Sequence, residues 1–160
     1  MNHNNLAQKT NYIAGSDKLA LAPFYLTSVN LPGLSFNHII AGGKAGKFTV
    51  TGDTLTYNTL SFEMLIDEDF KIYHEFMDKV TANINPEKGT FAGQTFDFWI
   101  QINNNKGNKL FKVEFYGCCI SSIGDIELDS QDDITEHNMG IEISYDYFKI
   151  IKETVVPTRM

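Results

Sequence analysis

Five acidic side chains between positions 125 and 136 have the spacing of ligands in a calcium-binding loop. They occupy positions 1, 3, 5, 9 and 12 of that loop and are Asp125, Glu127, Asp129, Asp133 and Glu136. The sharp turn at position 6 requires glycine, but the chain has Ser130 there. The flanking residues alternate as in strands instead of forming two helices. The pattern therefore favours a solvated acidic strand face followed by a turn, and we predict no metal site.

The glycine-rich segment from Gly42 to Lys47 matches a phosphate-binding loop only in part. That motif needs glycine at position 41 and serine or threonine at position 48, where the hydroxyl contacts Mg²⁺. The chain has Ala41 and Phe48. A strand is predicted after the loop, so no helix N-terminus would face a phosphate. We predict no nucleotide cofactor, and no cofactor of any other kind.

The cysteines, histidines and paired carboxylates show no spacing of a catalytic site. Cys118 and Cys119 are adjacent, so in a strand they point to opposite faces, and a disulfide between them would be strained. Asp67 and Asp69 precede a helical pattern, where acids cap the helix and favour its positive end. We therefore predict that the chain is not an enzyme.

Length, charge and hydropathy narrow the function further. The chain has 160 residues, enough for one domain with a core, and a net charge of -7. Nine acids and no lysine or arginine fall between Val113 and Phe148, and this distribution argues against a nucleic-acid-binding surface. No apolar run approaches the roughly 18 residues of a membrane span. The polar N-terminus lacks the signal-peptide pattern, so synthesis in a cytoplasm is expected.

The elements that must position these residues are mostly strands. An amphipathic helix is predicted at about residues 68–81, where apolar residues recur at three- and four-residue steps. Residues 1–16 are predicted to form a flexible N-terminal arm, 17–152 the β domain, and 153–160 a loosely held C-terminal tail. About seven strands joined by hairpin turns predict a mainly β fold: an antiparallel sandwich or barrel with one flanking helix.

A hairpin is predicted over residues 34–51, with its tip at Ala41–Lys47. The three glycines and small residues of that tip indicate a mobile loop. The tip is also basic on an otherwise acidic chain. It is therefore either a contact arm or a disordered loop.

Alternation predicts the buried faces of the later strands. Phe96, Phe98, Ile100 and Ile102 share one face, and the strand that begins at Lys109 continues past a predicted bulge at Gly117. A further strand is predicted over residues 124–129, with Ile126 and Leu128 inward. The last strand is predicted over residues 137–151, with an inward face of Met139, Ile141, Ile143, Tyr145 and Tyr147.

Three stretches, in this order, resemble the tail-tube protein family of contractile-tailed bacteriophages, which is similar to the tube proteins of related contractile injection machines. They span roughly residues 24 to 150. The first is the turn Asn30-Leu31-Pro32-Gly33. The second runs from Gly52-Asp53 to Asp67-Glu68-Asp69 and the helix. The third is Val113-Glu114-Phe115-Tyr116-Gly117-Cys118, then Gly124-Asp125-Ile126-Glu127-Leu128-Asp129 and the closing strand to Tyr147.

The resemblance implies a structural virion protein of the tail, made in the host cytoplasm, whose copies form stacked hexameric rings around a DNA conduit. Sheet edges would join between subunits. Rings would stack through the hairpin, here Ile39, Ile40, Gly42, Gly43, Lys44, Gly46 and Lys47. Candidates for an acidic lumen that DNA crosses without binding are Asp125, Glu127, Asp129, Glu142 and Asp146. Neighbouring tube, baseplate-hub and sheath proteins would be the partners.

Two alternatives remain open at this level. The resemblance extends equally to a tube initiator at the baseplate hub and to a tail-completion ring of the same fold. A different class is a monomeric β-sandwich that binds calcium or a glycan. Trp99, beside Asp97 and Gln101 on one strand face, is its candidate glycan site, although a lone strand tryptophan more often packs against a neighbouring element or subunit.

Overall fold

The computed structural model describes residues 11–19, 25–85, 87–129 and 136–152. Strands dominate these ranges, as the many aromatic and β-branched residues favour. The elements are β1 (Tyr12–Ser16), β2 (Leu26–Asn30), β3 (Leu34–Gly43), β4 (Gly46–Tyr57), β5 (Leu60–Leu65), α1 (Lys71–Asn83), β6 (Ile84–Asn85), β7 (Thr90–Phe91), β8 (Phe96–Asn103), β9 (Lys109–Ile123), β10 (Asn138–Ser144) and β11 (Tyr147–Lys152). The predicted mainly β, antiparallel fold with a helix on one side is confirmed.

Two antiparallel sheets share the long strand β9. The first sheet has the order β1-β8-β9-β11, and the second has the order β9-β10-β5-β2. Strand β9 is 15 residues long, so its first half pairs with β8 and β11 and its second half pairs with β10. The inner faces meet across the core, where the rings of Phe62 and Phe98 stack with centroids 5.4 Å apart. The domain is therefore a two-sheet sandwich.

A bulge at Gly117 lets β9 pass from one sheet to the other. Gly117 has a φ of +66°, a left-handed conformation that glycine adopts without steric cost. The buried positions change there from Val113 and Phe115 to Cys118, so the inward face shifts by one residue. The predicted bulge is confirmed.

The same irregularity corrects the prediction of one last strand over residues 137–151. Strands β10 and β11 pair with the same side of β9 but are interrupted opposite Gly117. Met139, Ile141 and Ile143 are buried as predicted. Tyr147 is instead 41% exposed, because the inward face shifts at the interruption.

Helix α1 packs against the core and begins at Lys71, later than the predicted start near residue 68. Ile72 and Phe76 are fully buried, and the Phe76 ring lies 6.3 Å from the ring of Phe62. Phe70 precedes the helix in a left-handed conformation with φ 54°. The acidic residues therefore lie before the first turn and not within it.

The two acids predicted to cap the helix, Asp67 and Asp69, act separately. The Asp67 carboxylate accepts a hydrogen bond from the Ile72 N–H at 3.1 Å, so this residue does cap α1. The Asp69 carboxylate instead pairs with the Lys71 ammonium at 2.6 Å. Since that pair is largely exposed, it contributes little to stability.

Two predicted segments have a different structure. Tyr12–Ser16, assigned to the flexible arm, form β1 on β8, and Ala14 is buried. Residues 124–129, predicted as a strand, are irregular, and Leu128 is 72% exposed. The rest of the predicted arm, 1–10, and the predicted tail, 153–160, lie outside the described residues. No helix in the described ranges is long and apolar enough to cross a membrane.

Candidate assembly surfaces

The predicted hairpin is a two-stranded sheet of its own, formed by β3 and β4. Its pairing extends to Gly43 and Gly46, and Lys44 and Ala45 form the turn between them. Gly46 has a φ of +136°, which explains the glycine at the end of so tight a turn. The predicted extent of the loop, residues 41–47, is therefore wrong: strands run almost to the end of the arm.

The outer part of the hairpin exposes large apolar side chains. Ile39 lies opposite Val50, and Ala41 lies opposite Phe48, so these four side chains share one face. Ile39 is 57% exposed and Phe48 is 58% exposed. A two-stranded hairpin is only marginally stable in water, and contiguous exposed apolar surface marks interaction sites. The hairpin therefore has the character of a contact arm.

The base of the hairpin is anchored to the sandwich. The Tyr57 ring lies 5.8 Å from the ring of Tyr145 and 5.7 Å from that of Phe148. The Tyr145 hydroxyl donates to the Asn58 carbonyl oxygen at 2.8 Å, and burial raises the pKa of Tyr145 to about 12. These contacts attach the base of the arm to the sandwich.

Several strands have an edge without a partner among the described residues. Strands β1 and β2 end the two sheets, and β11 pairs with β9 alone. Unpaired edges present rows of N–H and C=O groups to which another chain can add. The fold therefore offers edges suited to joining sheets between copies.

The outer face of the second sheet is polar and acidic. Glu142 of β10 lies opposite Ser61 and Ser122, and Glu63 of β5 lies opposite Gly140. No lysine or arginine occurs in β2, β5, β10 or the second half of β9. We call this surface the polar face; it consists of Ser28, Asn30, Ser61, Glu63, Ser122, Gly140, Glu142 and Ser144.

The predicted lumen acids do not form one group. Glu142 is on the polar face, next to a residue that the sequence interpretation missed, Glu63. The inward alternation of Leu60, Phe62 and Met64 could have placed Glu63 outward. Asp146 lies against Gly117 at the interruption between β10 and β11. The other three, Asp125, Glu127 and Asp129, are exposed on the irregular segment after β9.

That segment forms one side of an open cleft beside α1. The cleft has a volume of about 390 Å³ and is lined by Phe70, Tyr73, Met77, Ile123, Gly124, Asp125, Ile126 and Leu128. We call it the α1 cleft. Its lining is mainly apolar and includes one acid, Asp125. Sequence spacing alone gave no signal for it, because the helix and the segment are far apart in the chain.

The outer face of the first sheet has a different character, with mixed charges and aromatic rings. The Lys112 ammonium pairs with the Glu114 carboxylate at 2.7 Å. That contact and the hydrogen bond from the Tyr116 hydroxyl hold the pKa of Glu114 below its usual value. The hydrogen bond to Glu114 in turn raises the pKa of Tyr116 to about 12. On this face the charge of Glu114 is therefore balanced by that of Lys112.

Trp99, the candidate glycan site of the alternative binding-module prediction, packs against other residues of the domain. The ring of Trp99 covers Gly15 on β1, so closely that a Cβ atom there would lie 2.6 Å from the ring. The Lys112 ammonium lies over the ring at 4.9 Å from its centroid. Within the described ranges, no three His, Cys, Asp or Glu side chains gather to hold a metal, and Asp133 lies outside those ranges.

The thiols offer no activated nucleophile. Burial raises the pKa of Cys118 to about 12, so its reactive thiolate is scarce at neutral pH. Cys119 is exposed and lines a second cleft of about 220 Å³ with Lys18 and Lys79. The lining of that cleft includes no His, Asp or Glu that could act as a base.

No protein-family model and no curated protein matches this sequence, but solved structures match its fold. The tube-terminating cap of the anti-feeding prophage superposes with a TM-score of 0.70, 13% identity, and coverage of 96% of this chain and 95% of that chain. The sheath–tube complex of an extracellular contractile injection system, PVC, superposes with a TM-score of 0.70 and 12% identity. The match covers 94% of this chain and 95% of that chain. The chain has the tube fold of contractile injection systems.

A third structure with the tube fold is a component of the six-fold symmetrised anti-feeding prophage baseplate, with a TM-score of 0.67, 11% identity, and coverage of 95% and 98%. The predicted resemblance is therefore confirmed at the level of the fold. These similar structures are tube, cap and baseplate assemblies and not enzymes.

Proposed function

We propose that this chain is a structural subunit that assembles into stacked rings of a contractile-system tube. The observation that carries the proposal is the β3–β4 hairpin: an anchored arm of a tube-fold domain that exposes Ile39, Phe48 and Val50 to solvent. Such a surface is costly for a monomer. Contact between rings removes that cost, and the predicted stacking residues of the hairpin lie on this arm.

Within a ring, copies join through the unpaired strand edges. Adding β1, β2 or β11 of one copy to an edge of the next satisfies backbone groups that would otherwise invite aggregation. Six copies per ring are supported by the similar six-fold symmetrised baseplate structure. We therefore propose, more specifically, that each ring contains six copies, as the resemblance to tail-tube proteins implies.

The polar face lines the lumen of these rings. Its small side chains make a smooth wall, and Glu63 and Glu142 give it negative charge without any lysine or arginine on its strands. A negative wall repels phosphate and does not retain passing DNA. More specifically, we propose that the rings belong to a phage tail, with sheath and baseplate-hub proteins as partners.

A second candidate is a terminating or initiating ring of the same fold. It is favoured by the similarity to the tube-terminating cap and to a baseplate component. Such a ring would form single discs or bind the end of a tube made by another protein, whereas a tube subunit forms stacks of its own.

Negative-stain electron microscopy of the purified chain tests the proposal. We expect rings, and at higher concentration stacks of rings. Phe48→Ser removes an exposed aromatic side chain from the hairpin. It should leave the urea midpoint of dilute protein unchanged and should shorten the stacks of rings. A chain that stays strictly monomeric at high concentration would contradict the self-assembling tube.

A further inference from the structure

The hairpin and the α1 cleft lie at opposite ends of strand β5. The hairpin leads into Leu60, the first residue of β5, whereas α1 follows its last residue, Leu65. Strand β9 runs toward the Leu65 end: Ile123 is level with Phe62, and the N–H of the next residue, Gly124, donates to the Gly140 carbonyl oxygen, opposite Glu63. Ile123 and Gly124 both line the cleft. The base of the hairpin and the α1 cleft of the same chain therefore lie at opposite ends of β5.

The two features match in polarity. The α1 cleft presents apolar side chains, among them Tyr73, Met77 and the 72% exposed Leu128. The hairpin presents the apolar face that contains Ile39 and Phe48. Burying one against the other removes both from water, and the gain is proportional to the apolar area covered.

They also match in charge. The hairpin ends in Lys44 and Lys47, two exposed bases on a chain of net charge -7. Asp125 lines the α1 cleft, and the exposed Glu127 lies between the lining residues Ile126 and Leu128. The second cleft has the opposite character, since Lys18 and Lys79 line it and would repel the tip. Charge complementarity thus selects the α1 cleft.

We propose that the α1 cleft of one copy receives the β3–β4 hairpin of the next copy, with Lys44 and Lys47 against Asp125 and Glu127. This inference rests on the proposed function, since it requires copies to assemble. Contacts between opposite ends of identical chains are head-to-tail and generate open stacks. The proposal assigns Asp125 and Glu127 to the contact between rings, and so removes them from the lumen.

Charge reversal tests the pairing. Lys44→Glu with Lys47→Glu, or Asp125→Lys with Glu127→Lys, should raise the protein concentration needed for stacking by roughly tenfold or more. All four changes in one chain should restore stacking, because the contact is re-formed with its signs exchanged. The matched control is Lys106→Glu in the exposed β8–β9 turn with Lys109→Glu at the start of β9, which should stack as the unaltered chain does.

The outcomes separate the two proposals. If the unaltered chain forms no stacks at any concentration, the proposed function fails and this inference fails with it. If it stacks, and either reversed pair stacks at the same concentration as the control, the docking proposal alone is overturned. Failure of the four-fold variant to recover, with both pairs impaired, would also overturn the pairing.

Cross-linking gives a readout that does not depend on electrostatics. Ala45→Cys at the hairpin turn and Leu128→Cys at the cleft rim are combined with Cys119→Ser, which removes the exposed native thiol. Mild oxidation of the stacks should give a ladder of disulfide-linked dimers, trimers and longer chains. Each single-cysteine variant should give dimers at most. A double variant that forms stacks without a ladder would overturn the docking.

Discussion

The rings of Phe62 in β5 and Phe98 in β8 stack face to face, with centroids 5.4 Å apart and an interplanar angle of 1°. These residues belong to different sheets, so their contact joins the two layers of the sandwich. Phe76 of α1 also packs on Phe62, at 6.3 Å. One aromatic cluster therefore holds both sheets and the helix together, while the assembly surfaces lie outside it.

Phe62→Ala should destabilise the domain by about 3–5 kcal/mol, because it leaves a cavity between the sheets and removes a buried ring. Urea unfolding of dilute, unassembled protein measures this. Ser144→Ala, on the exposed outer face, should change stability by less than about 0.5 kcal/mol. Equal losses in the two variants would contradict the role of Phe62.

Gly117→Ala should be destabilising for two separable reasons. The residue has a φ of +66°, which strains any side chain, and a methyl group there would collide with the Asp146 carboxylate. We expect a loss of about 1–3 kcal/mol. Adding Asp146→Ala should recover the part due to the collision, measured as a coupling energy in a double-mutant cycle. Strict additivity would show that no collision occurs.

Part of this fold could be predicted from the sequence, because its signals are local. Alternation placed Phe98 and Ile100 inward, and Gly117 marked the bulge. Strand pairing is not local: the alternating Ile126 and Leu128 lack a partner strand in the described structure and stay irregular. Strand β1 could not be predicted from local sequence either, because the Trp99 ring that packs over its Gly15 is distant in sequence.

The same division applies to the assembly surfaces. The position of the hairpin followed from its turn residues and strand runs. The strand pairing up to Gly43 and Gly46 could not be predicted, because three glycines in seven residues indicate a mobile loop. Here they flank a two-residue turn. The α1 cleft combines a helix with a segment that follows it by about forty residues, and only tertiary packing brings them together.

The capping bond of Asp67 predicts a pH-dependent contribution to stability. Desolvation would raise the pKa of this carboxyl, but hydrogen bonds from the backbone N–H groups of Ile72 and Lys71 outweigh it, and the pKa lies below its usual value. A depressed pKa in the folded state stabilises the fold above the unfolded-state pKa. That stabilisation is lost as pH falls through the folded-state pKa.

Asp67→Ala should therefore lower the urea midpoint at neutral pH and have a smaller effect in strong acid, where the carboxyl is protonated in both states. Glu68→Ala, at the exposed neighbouring acid, is the matched control. Its effect should be small throughout, as is usual for a surface substitution. A difference between unaltered and Asp67→Ala protein that stays constant across this pH range would exclude the capping role.

The two adjacent cysteines should react differently with thiol reagents. Cys119 is exposed, whereas Cys118 is buried and its pKa is raised to about 12 by burial. Iodoacetamide should therefore modify one thiol per folded chain and both thiols after unfolding in denaturant. Mass spectrometry of the peptides identifies the site. Rapid modification of Cys118 in the folded chain would show that β9 opens easily at its bulge.

Glu142 provides a test of which sheet face lines the lumen. In Glu142→Cys combined with Cys119→Ser, the new thiol lies on the polar face. In assembled stacks a small maleimide should reach it, but a maleimide carrying a bulky polymer should react only near the open ends. Dilute subunits are the internal control, since both reagents should label them at similar rates. Equal labelling of stacks and subunits by the bulky reagent would place the polar face on the outside, and the acidic lumen would have to be assigned elsewhere.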